Sequence, residues 1–254
     1  LERLHNYQSR LGLPVEVLTA RQAQKREPSI SETVRAGLFA PAEKHVNNRQ
    51  LGLALYRRCR QKGVKILTGE PVRDVQYSPR NKLERVRTPR VTVTPDDVLL
   101  AAGSWTGRIP GLKPADRMPV RPVKGQALSI RPGSNFSPRG IVRSTDFYGV
   151  PHSPERFIVG ATMEEEGFDE AGSAGAILDL LDAANQALPG IQEQELLEFW
   201  TGLRPASRDN KPIIGSSSAT DNLYFATGHF RNGILQLPMT LKGIRHEIQH
   251  GVPL

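Results

Sequence analysis

A continuous apolar run, Val98-Leu99-Leu100-Ala101-Ala102, is the feature of the sequence that most constrains the fold. Such a run, closed by Gly103, is typical of a short strand that is buried on both faces, as in the parallel sheets of α/β proteins. A sheet of that kind needs helices to cover its faces. The run therefore predicts an α/β region near the middle of the chain.

The chain before this run combines helices with short strands. Apolar residues at helical spacing predict a helix over 48–61, and shorter helices are predicted over 2–10 and 19–27. Short strands are predicted at 36–39, 64–67, 71–77, 83–88 and 91–94. The last three are joined by turns that contain proline, so they predict a small antiparallel meander.

The chain after the run is rich in strands and ends in mixed structure. Strands are predicted at 118–131, 141–151, 156–163, 195–203, 213–215 and 223–226. Ser173 is a suitable cap for a helix over 174–188. A last helix is predicted over 237–249, because Pro238 fits best in a first turn.

These changes of pattern predict two interleaved domains of a mixed α+β and α/β class. One domain is predicted to contain a large mixed, mainly antiparallel sheet and to be formed by segments 1–43 and 118–200. The other is predicted to be formed by segments 44–117 and 201–254.

Composition excludes several classes of protein. Hydrophobic residues make up 38% of the chain and charged residues 24%, which indicates a globular fold. The net charge is +8, but the basic residues are scattered without an aromatic stacking platform, so nucleic-acid binding is not predicted. No apolar run approaches the roughly 18 residues of a membrane-spanning helix.

Cys59 is the single cysteine, so an internal disulfide is excluded and a cytoplasmic location is expected. It is predicted to be a half-buried residue of the 48–61 helix rather than a catalytic thiol. The chain starts without Met and without a secretory signal, and is therefore expected to begin inside a longer gene product.

One stretch of the sequence matches a metal-binding motif but lacks a further ligand. The sequence His246-Glu247-Ile248-Gln249-His250 matches the H-E-x-x-H pattern of zinc proteases. A zinc protease needs a third ligand, usually downstream, and only four residues follow. The sequence therefore predicts no metal site.

Several short stretches carry a family resemblance through their order and spacing. They are V-L-L-A-A-G-S-W at 98–105, R-P-V-K-G-Q at 121–126, I-V-G-A-T-M at 158–163, G-L-R-P at 202–205, K-P-I-I-G at 211–215 and A-T-G-H-F-R-N-G-I at 226–234. Together they resemble the glycine oxidase branch of the D-amino-acid oxidase family, whose members are FAD-dependent oxidoreductases. The resemblance covers nearly the whole chain.

The resemblance implies a Rossmann-like FAD-binding domain built from 44–117 and 201–254, with 1–43 and 118–200 as the substrate domain. That FAD-binding domain is incomplete, because the sequence contains no G-x-G-x-x-G motif for the FAD pyrophosphate. About a hundred residues are expected to precede Leu1, a size that suits a small dinucleotide-binding unit. The chain by itself is expected to bind FAD weakly or not at all and to be inactive.

The resemblance also implies which residues bind the substrate. Arg204 maps onto the family's carboxylate-binding arginine, and Tyr148 onto a tyrosine that points at the same carboxylate. Met163 maps onto a residue of the substrate pocket, and Arg231 onto an arginine that closes over the substrate. Taken alone, the pattern leaves open a structural ion pair for Arg204, core packing for Tyr148 and Met163, and a surface position for Arg231.

The resemblance further implies a set of residues that contact FAD. They are Val72, Ala102, Gly103, Trp105, Gly228, His229, Phe230, Arg231, Asn232, Gly233 and Ile234. Glycines in such a loop let backbone N–H groups approach a flat ring, and the helix that follows favours negative charge at its start.

The function implied is oxidative deamination of glycine or another small amino acid, with hydride passing from Cα to flavin N5 and dioxygen reduced to hydrogen peroxide. The resemblance also implies a role in thiamine biosynthesis. Expected partners are a small amino acid and either further copies of the chain or the missing N-terminal segment. Two alternatives stay open: a dehydrogenase subunit that passes electrons to a quinone or partner, and a non-catalytic fragment.

Overall fold

The computed structural model describes residues 1–253 and contains both helices and sheets. Its α-helices are α1 (Glu2–Arg10), α2 (Ala20–Arg26), α3 (Asn48–Gln61), α4 (Ala174–Ala187) and α5 (Gly233–His250). Its strands are β1 (Glu16–Thr19), β2 (Ala36–Phe39), β3 (Asp74–Tyr77), β4 (Leu83–Arg87), β5 (Thr92–Val93), β6 (Val98–Leu100), β7 (Arg121–Arg131), β8 (Val142–Arg143), β9 (Tyr148–Ser153), β10 (Arg156–Gly160), β11 (Glu195–Ala206), β12 (Ile213–Ser216) and β13 (Leu223–Thr227). Short 3-10 helices cover Gly103–Arg108, Pro114–Asp116 and Ile191–Glu193.

The described chain divides into two compact units. The first unit comprises residues 1–64, 126–162 and 171–201, and the second comprises 65–125, 163–170 and the chain from Gly202 onward. The units are interleaved along the chain, and their boundaries differ from the segments expected from sequence; residues 44–64, for example, belong to the first unit. The assignment of one side to cofactor and the other to substrate stays a prediction.

The first unit is organised around a hydrophobic core beneath an antiparallel sheet. β9 and β10 form a hairpin, and β10 also pairs with β7. Phe157 on β10 is fully buried and meets Phe136 edge to face, with ring centroids 5.7 Å apart. Helix α4 begins at its cap Ser173, whose hydroxyl accepts the N–H of Ala176, and it buries Leu180 in the same core.

The second unit contains two three-stranded sheets. β3, β4 and β5 form the antiparallel meander, and the other sheet has the order β12-β13-β6. β6 runs parallel to β13, with Leu99 opposite Tyr224, whereas β12 is antiparallel to β13. Helix α5 contacts β12 and β13. Among residues 1–253, no helix is both long enough and apolar enough to cross a membrane.

A mixed fold of helices and mainly antiparallel sheets, as expected from the sequence, is confirmed by this architecture. The apolar run at 98–102 forms a strand as predicted, but β6 stops at Leu100 and Leu99 is 42% exposed, so the expected burial on both faces is not observed. β6 runs parallel to β13. The meander, α1, α3 and α4 lie within two or three residues of their predicted positions.

Local structure differs from the prediction in five main places. Residues 64–67 form no strand; Val64, Ile66 and Leu67 are exposed, and an isolated extended segment has no ladder of hydrogen bonds to hold it. The strand predicted over 141–151 is two strands, because Ser144 and Phe147 close a turn between β8 and β9. Strand β1 was not predicted, although Val17 pairs with Leu38.

The fourth concerns the start of α5. The helix begins at Gly233, so Pro238 lies in its interior instead of its first turn. A proline there removes the backbone donor that would have bonded to the carbonyl of Ile234 and places its ring near that carbonyl. Cys59 also differs from expectation, since it is exposed on α3.

Candidate functional site

The carboxyl ends of β6 and β13 lie side by side in the second unit and are joined by hydroxyl groups. The Thr227 hydroxyl at the end of β13 donates to the carbonyl of Gly103 at 3.0 Å. The Thr106 hydroxyl lies within hydrogen-bonding distance of the same carbonyl, at 2.8 Å, and of the Thr227 hydroxyl, at 3.0 Å. This edge of an open sheet is where α/β proteins bind their ligands. It brings Ala102 and Gly103 to the loop that follows β13.

That loop, residues 228–233, has an unusual backbone. Gly228 has a φ of 73°, and Phe230 adopts a φ of 48°, a conformation that costs free energy for a residue with a side chain. The loop leads directly into α5, whose N-cap Asn232 makes no side-chain capping hydrogen bond. The start of α5 therefore keeps unsatisfied backbone N–H groups of the kind that favour an anionic or carbonyl oxygen partner.

The backbone on either side of Arg204 is hydrogen-bonded to the segment that follows β6 and to the 228–233 loop. The Ser104 hydroxyl donates to the carbonyl of Leu203 at 3.3 Å, and the N–H of Phe230 donates to the carbonyl of Pro205 at 2.8 Å. Ala206 and His229 form an antiparallel bridge next to this second contact. Arg204 is therefore held between the end of β6 and the 228–233 loop.

The side chain of Arg204 is half-buried and lies against the backbone of β7. Its Nη1 donates to the carbonyl of Lys124 at 3.2 Å. A Cβ on Gly125 would overlap the guanidinium group, so the glycine is needed for this close approach. A planar guanidinium held in this way is suited to bind a carboxylate with two parallel hydrogen bonds.

We expect Gly125→Ala to weaken binding of any carboxylate substrate, because the added methyl must displace the Arg204 guanidinium. A misplacement of about 1 Å can cost on the order of 100-fold in rate, so a loss of at least about 10-fold in kcat/KM is expected. The matched control is Gly202→Ala on β11, where an added Cβ meets open space. Equal kcat/KM values for the two variants would contradict this role of Gly125.

The other predicted substrate residues are distributed over both units. Met163 and Arg231 belong to the second unit, as Arg204 does, and both side chains are exposed. Tyr148 belongs to the first unit, where it is half-buried and faces Gly160 across the β9–β10 hairpin. A Cβ on Gly160 would overlap the Tyr148 ring. Their roles in substrate binding stay predictions.

The remaining predicted cofactor residues all belong to the second unit. Trp105 is 44% exposed and its ring contacts that of Phe168, with centroids 5.7 Å apart. Val72 is half-buried against the core of this unit. The His229 ring bonds to the Thr240 hydroxyl at 2.9 Å, and burial lowers the pKa of His229 below its usual value.

The H-E-x-x-H motif on α5 has a structural contact of its own. Glu247 is buried and one of its carboxylate oxygens accepts both the N–H and the hydroxyl of Ser216, at 2.9 and 2.6 Å. The rings of His246 and His250 are 4.6 Å apart. Within residues 1–253, no group of three or more potential ligand side chains is arranged to hold a metal ion.

The first unit contains an open cavity of about 700 Å³ lined by two loop segments, 28–32 and 134–139. Its lining includes Ser31, Arg139 and Pro189 but none of the predicted site residues. The cavity is therefore separate from the residues that the family resemblance singles out.

Sequence reasoning missed the residues that hold the site together. Ser104, Lys124, Gly125 and Thr227 belong to the family motifs but had no predicted role, and Thr106 lies outside those motifs. One signal was available, because a glycine inside a buried strand often marks close approach of another group. The threonine contacts gave no signal, since they join residues more than 100 positions apart.

Comparisons with known proteins identify the family of the chain. The family model described as DAO, FAD dependent oxidoreductase, matches residues 1–242. A glycine oxidase from Geobacillus kaustophilus is 30% identical over 241 residues, which cover 94% of this chain and 63% of that protein. Hydrogen cyanide synthase subunit HcnC from Pseudomonas aeruginosa is 31% identical over 234 residues, which cover 91% of this chain and 55% of that protein.

A solved structure supports the same relationship. The crystal structure of glycine oxidase from Bacillus cereus superposes with a TM-score of 0.91 at 28% identity, covering 98% of this chain and 68% of that one. The chain thus spans about three fifths of the length of the curated relatives described above. It belongs to the DAO family of FAD dependent oxidoreductases.

Proposed function

We propose that this chain provides the substrate-binding and part of the FAD-binding machinery of an enzyme that oxidises glycine or another small amino acid. The observation that carries the proposal is that the backbone beside Arg204 is hydrogen-bonded to two segments predicted to contact the cofactor, the segment that follows β6 and the 228–233 loop. Hydrogen bonds join its flanking carbonyls to Ser104 and to Phe230. An arginine that binds the substrate carboxylate is thereby fixed relative to residues that contact the flavin.

The residues of the chain have three tasks in this proposal. The Arg204 guanidinium binds and orients the carboxylate, which must find a strong partner when it leaves water. The backbone of 228–233 offers N–H groups and the start of α5 to the electron-rich edge of the flavin. Arg231 and Met163 close the small pocket around the amino acid. Tyr148 is proposed to assist in carboxylate binding.

The donors present at this edge suit FAD, because the 228–233 backbone has the positive φ angles and open helix start that a flat, electron-rich ring requires. The chemistry that bound FAD would supply is acceptance of hydride from the substrate Cα and transfer of both electrons to dioxygen, giving hydrogen peroxide. The imino acid product is then released or hydrolysed.

The proposal is tested by measuring oxygen uptake and peroxide formation with glycine, sarcosine and D-alanine. The assay uses protein that includes the residues encoded before Leu1, loaded with FAD. A neutral amine without a carboxylate serves as the control substrate. The proposal would be contradicted if the neutral amine were oxidised as fast as the amino acids. It would also be contradicted if none of the amino acids were oxidised.

A second candidate is an amino-acid dehydrogenase that passes electrons to a quinone or partner subunit. It is favoured by the similarity to HcnC, which is named as a subunit of hydrogen cyanide synthase. The same assay distinguishes it, because a dehydrogenase would reduce an artificial acceptor such as a soluble quinone and consume little oxygen. The expected cytoplasmic location and the link to thiamine biosynthesis stay predictions.

We further propose that the 254-residue chain alone holds FAD weakly, because it contains no G-x-G-x-x-G turn for the pyrophosphate. Exposed apolar surface in the second unit supports this. β6 is an edge strand of its sheet, Leu99 is 42% exposed, and Leu235 and Met239 on α5 are 81% and 63% exposed. Parallel sheets are normally covered on both faces, so a further segment is expected to cover this surface.

The expected result is that the isolated chain loses FAD during gel filtration, so that the protein peak shows no flavin absorbance at about 450 nm. The longer protein, purified in the same way, is the control and should remain yellow. Stoichiometric FAD in the 254-residue chain after gel filtration would overturn this part of the proposal.

A further inference from the structure

Lys124 is a buried lysine on β7 whose side chain is only 3% exposed. A buried ammonium group is unfavourable unless anionic partners replace its water. Its partners come from one segment, residues 163–170 (Met163-Glu164-Glu165-Glu166-Gly167-Phe168-Asp169-Glu170), which we call the acidic segment. Five of its eight residues carry carboxylates.

Three of those carboxylates surround the Lys124 ammonium. Glu166 forms a short ion pair with Nζ, and Glu164 and Asp169 lie at 3.6 and 3.8 Å. The hydrogen bond to Glu166 raises the pKa of Lys124 in spite of its burial, with further contributions from all three charges. The ammonium is therefore the common counter-ion of the acidic segment.

The main chain of Lys124 makes a second set of contacts. Its N–H donates to the carbonyl of Glu164 at 2.9 Å, and its carbonyl accepts the N–H of Glu164 at 3.0 Å. The same carbonyl also accepts the Arg204 Nη1 at 3.2 Å. One residue thus holds both the guanidinium of Arg204 and the start of the acidic segment, next to Met163.

The acidic segment is also attached to the predicted cofactor edge. The Phe168 ring lies against Trp105, and the Arg108 guanidinium stacks 3.7 Å from its centroid. Arg121, three residues before Lys124, pairs with Glu165 at 3.1 Å and donates to the Ser207 carbonyl at 2.7 Å. The acidic segment therefore contacts both the 3-10 helix Gly103–Arg108, which follows β6, and the start of β7.

We infer that Lys124 is a positioning residue of the substrate site, which fixes Met163 through the acidic segment and Arg204 through its own carbonyl oxygen. The inference rests on the proposed function insofar as Met163 and Arg204 bind substrate. Lys124 touches neither the substrate nor the reacting atoms in this scheme. Its loss is expected to impair substrate binding and selectivity through those two residues.

The first test measures hydrogen exchange of peptide 163–170 in the 254-residue chain and needs no activity. Lys124→Met should raise its exchange rate at least about 10-fold, because the carboxylates lose their common counter-ion. Lys124→Arg keeps the charge and should restore most of the protection. The matched control is Arg131→Gln, which removes an exposed ion pair with Glu195 at the other end of β7.

Glu166→Gln provides a second route if Lys124→Met does not fold, since this glutamate side chain is 48% exposed and tolerates substitution more readily. It should raise exchange of the same peptide, by less than the lysine variant. Exchange equal to that of Arg131→Gln in the foldable variants would overturn the inference.

The second test uses FAD-loaded protein that includes the residues before Leu1. Lys124→Met should raise KM for small amino acids at least about 10-fold while kcat falls less, and Lys124→Arg should recover most of the KM. Faster exchange with an unchanged KM would show that Lys124 anchors the segment without shaping the site, which would also overturn the inference. If wild-type protein oxidises no amino acid, the proposed function fails while the exchange comparison still decides the anchoring.

Discussion

Replacing Arg204 with Ala is expected to reduce kcat/KM for amino acids by about 30-fold to about 4,000-fold, equivalent to roughly 2–5 kcal/mol of lost binding. The physical reason is that the substrate carboxylate would lose a charged, bidentate partner in a partly desolvated site. The backbone at Arg204 is fixed by Ser104 and Phe230 through its neighbours, so the alanine variant should keep its fold.

Arg204→Lys should recover only part of the loss, because a point charge cannot reproduce the planar fork of the guanidinium. The hydrogen bond to the Lys124 carbonyl and the close approach to Gly125 also depend on the guanidinium shape. Flavin content should be unchanged in both variants, since neither removes a predicted FAD contact.

The measurement is steady-state oxidation of glycine, sarcosine and D-alanine, with a neutral amine as the control substrate. Arg204→Ala should leave the neutral amine nearly unaffected. A loss that is equal for amino acids and for the neutral amine would show that Arg204 has a structural role, and the substrate class would be open again.

Replacing Asp116 with Ala is expected to lower the free energy of unfolding by roughly 2–4 kcal/mol, since it leaves one buried and two half-buried hydroxyl donors without this acceptor. Asp116 is fully buried and accepts hydrogen bonds from Tyr77 at 3.1 Å, Ser217 at 2.5 Å and Thr220 at 2.7 Å. It thereby joins the meander to the loop between β12 and β13. Burial raises the pKa of Tyr77 to about 12, so its phenol stays protonated and donates to Asp116 at neutral pH.

Asp116→Asn should lower the free energy of unfolding by less than Asp116→Ala, because the asparagine side chain keeps one carbonyl oxygen as an acceptor at the same place. The matched control is Asp221→Ala, an exposed carboxylate next to Thr220, for which a change within about 0.5 kcal/mol is expected. Urea unfolding, followed by fluorescence, gives the comparison. Equal stability of Asp116→Ala and Asp221→Ala would contradict the role of Asp116 in joining these elements.

Much of the secondary structure could be predicted because its determinants are local. Ser173 caps α4, as residue type alone suggested, and a capping box formed by Thr19 and Gln22 begins α2. The apolar run at 98–102 also predicted strand β6, because a short run of apolar residues favours a strand, although Leu99 is 42% exposed. Helix α3 was predicted within its observed bounds although none of its residues is buried.

The failures have a different cause. Residues 64–67 have the apolar composition of a strand, yet a strand forms only where a neighbour supplies hydrogen bonds. Pro238 suggested a helix start, but α5 begins four residues earlier, where the N–H of Gln236 donates to the Asn232 carbonyl at 2.9 Å. In the first case the missing tertiary partner overrides a correct local preference.

For the candidate site, the sequence by itself determined the family resemblance and the residue types, including Arg204 and the glycine-flanked loop at 228–233. Only the tertiary structure decided how they are held: Gly125 beneath the guanidinium, Ser104 and Phe230 on the flanking carbonyls, and Lys124 between Arg204 and the acidic segment. The physical reason is that these contacts join residues about 25 to 100 positions apart. Chain connectivity and local propensity act over a few residues, whereas hydrogen bonds and ion pairs of this kind exist only after the sheets have brought distant strands together.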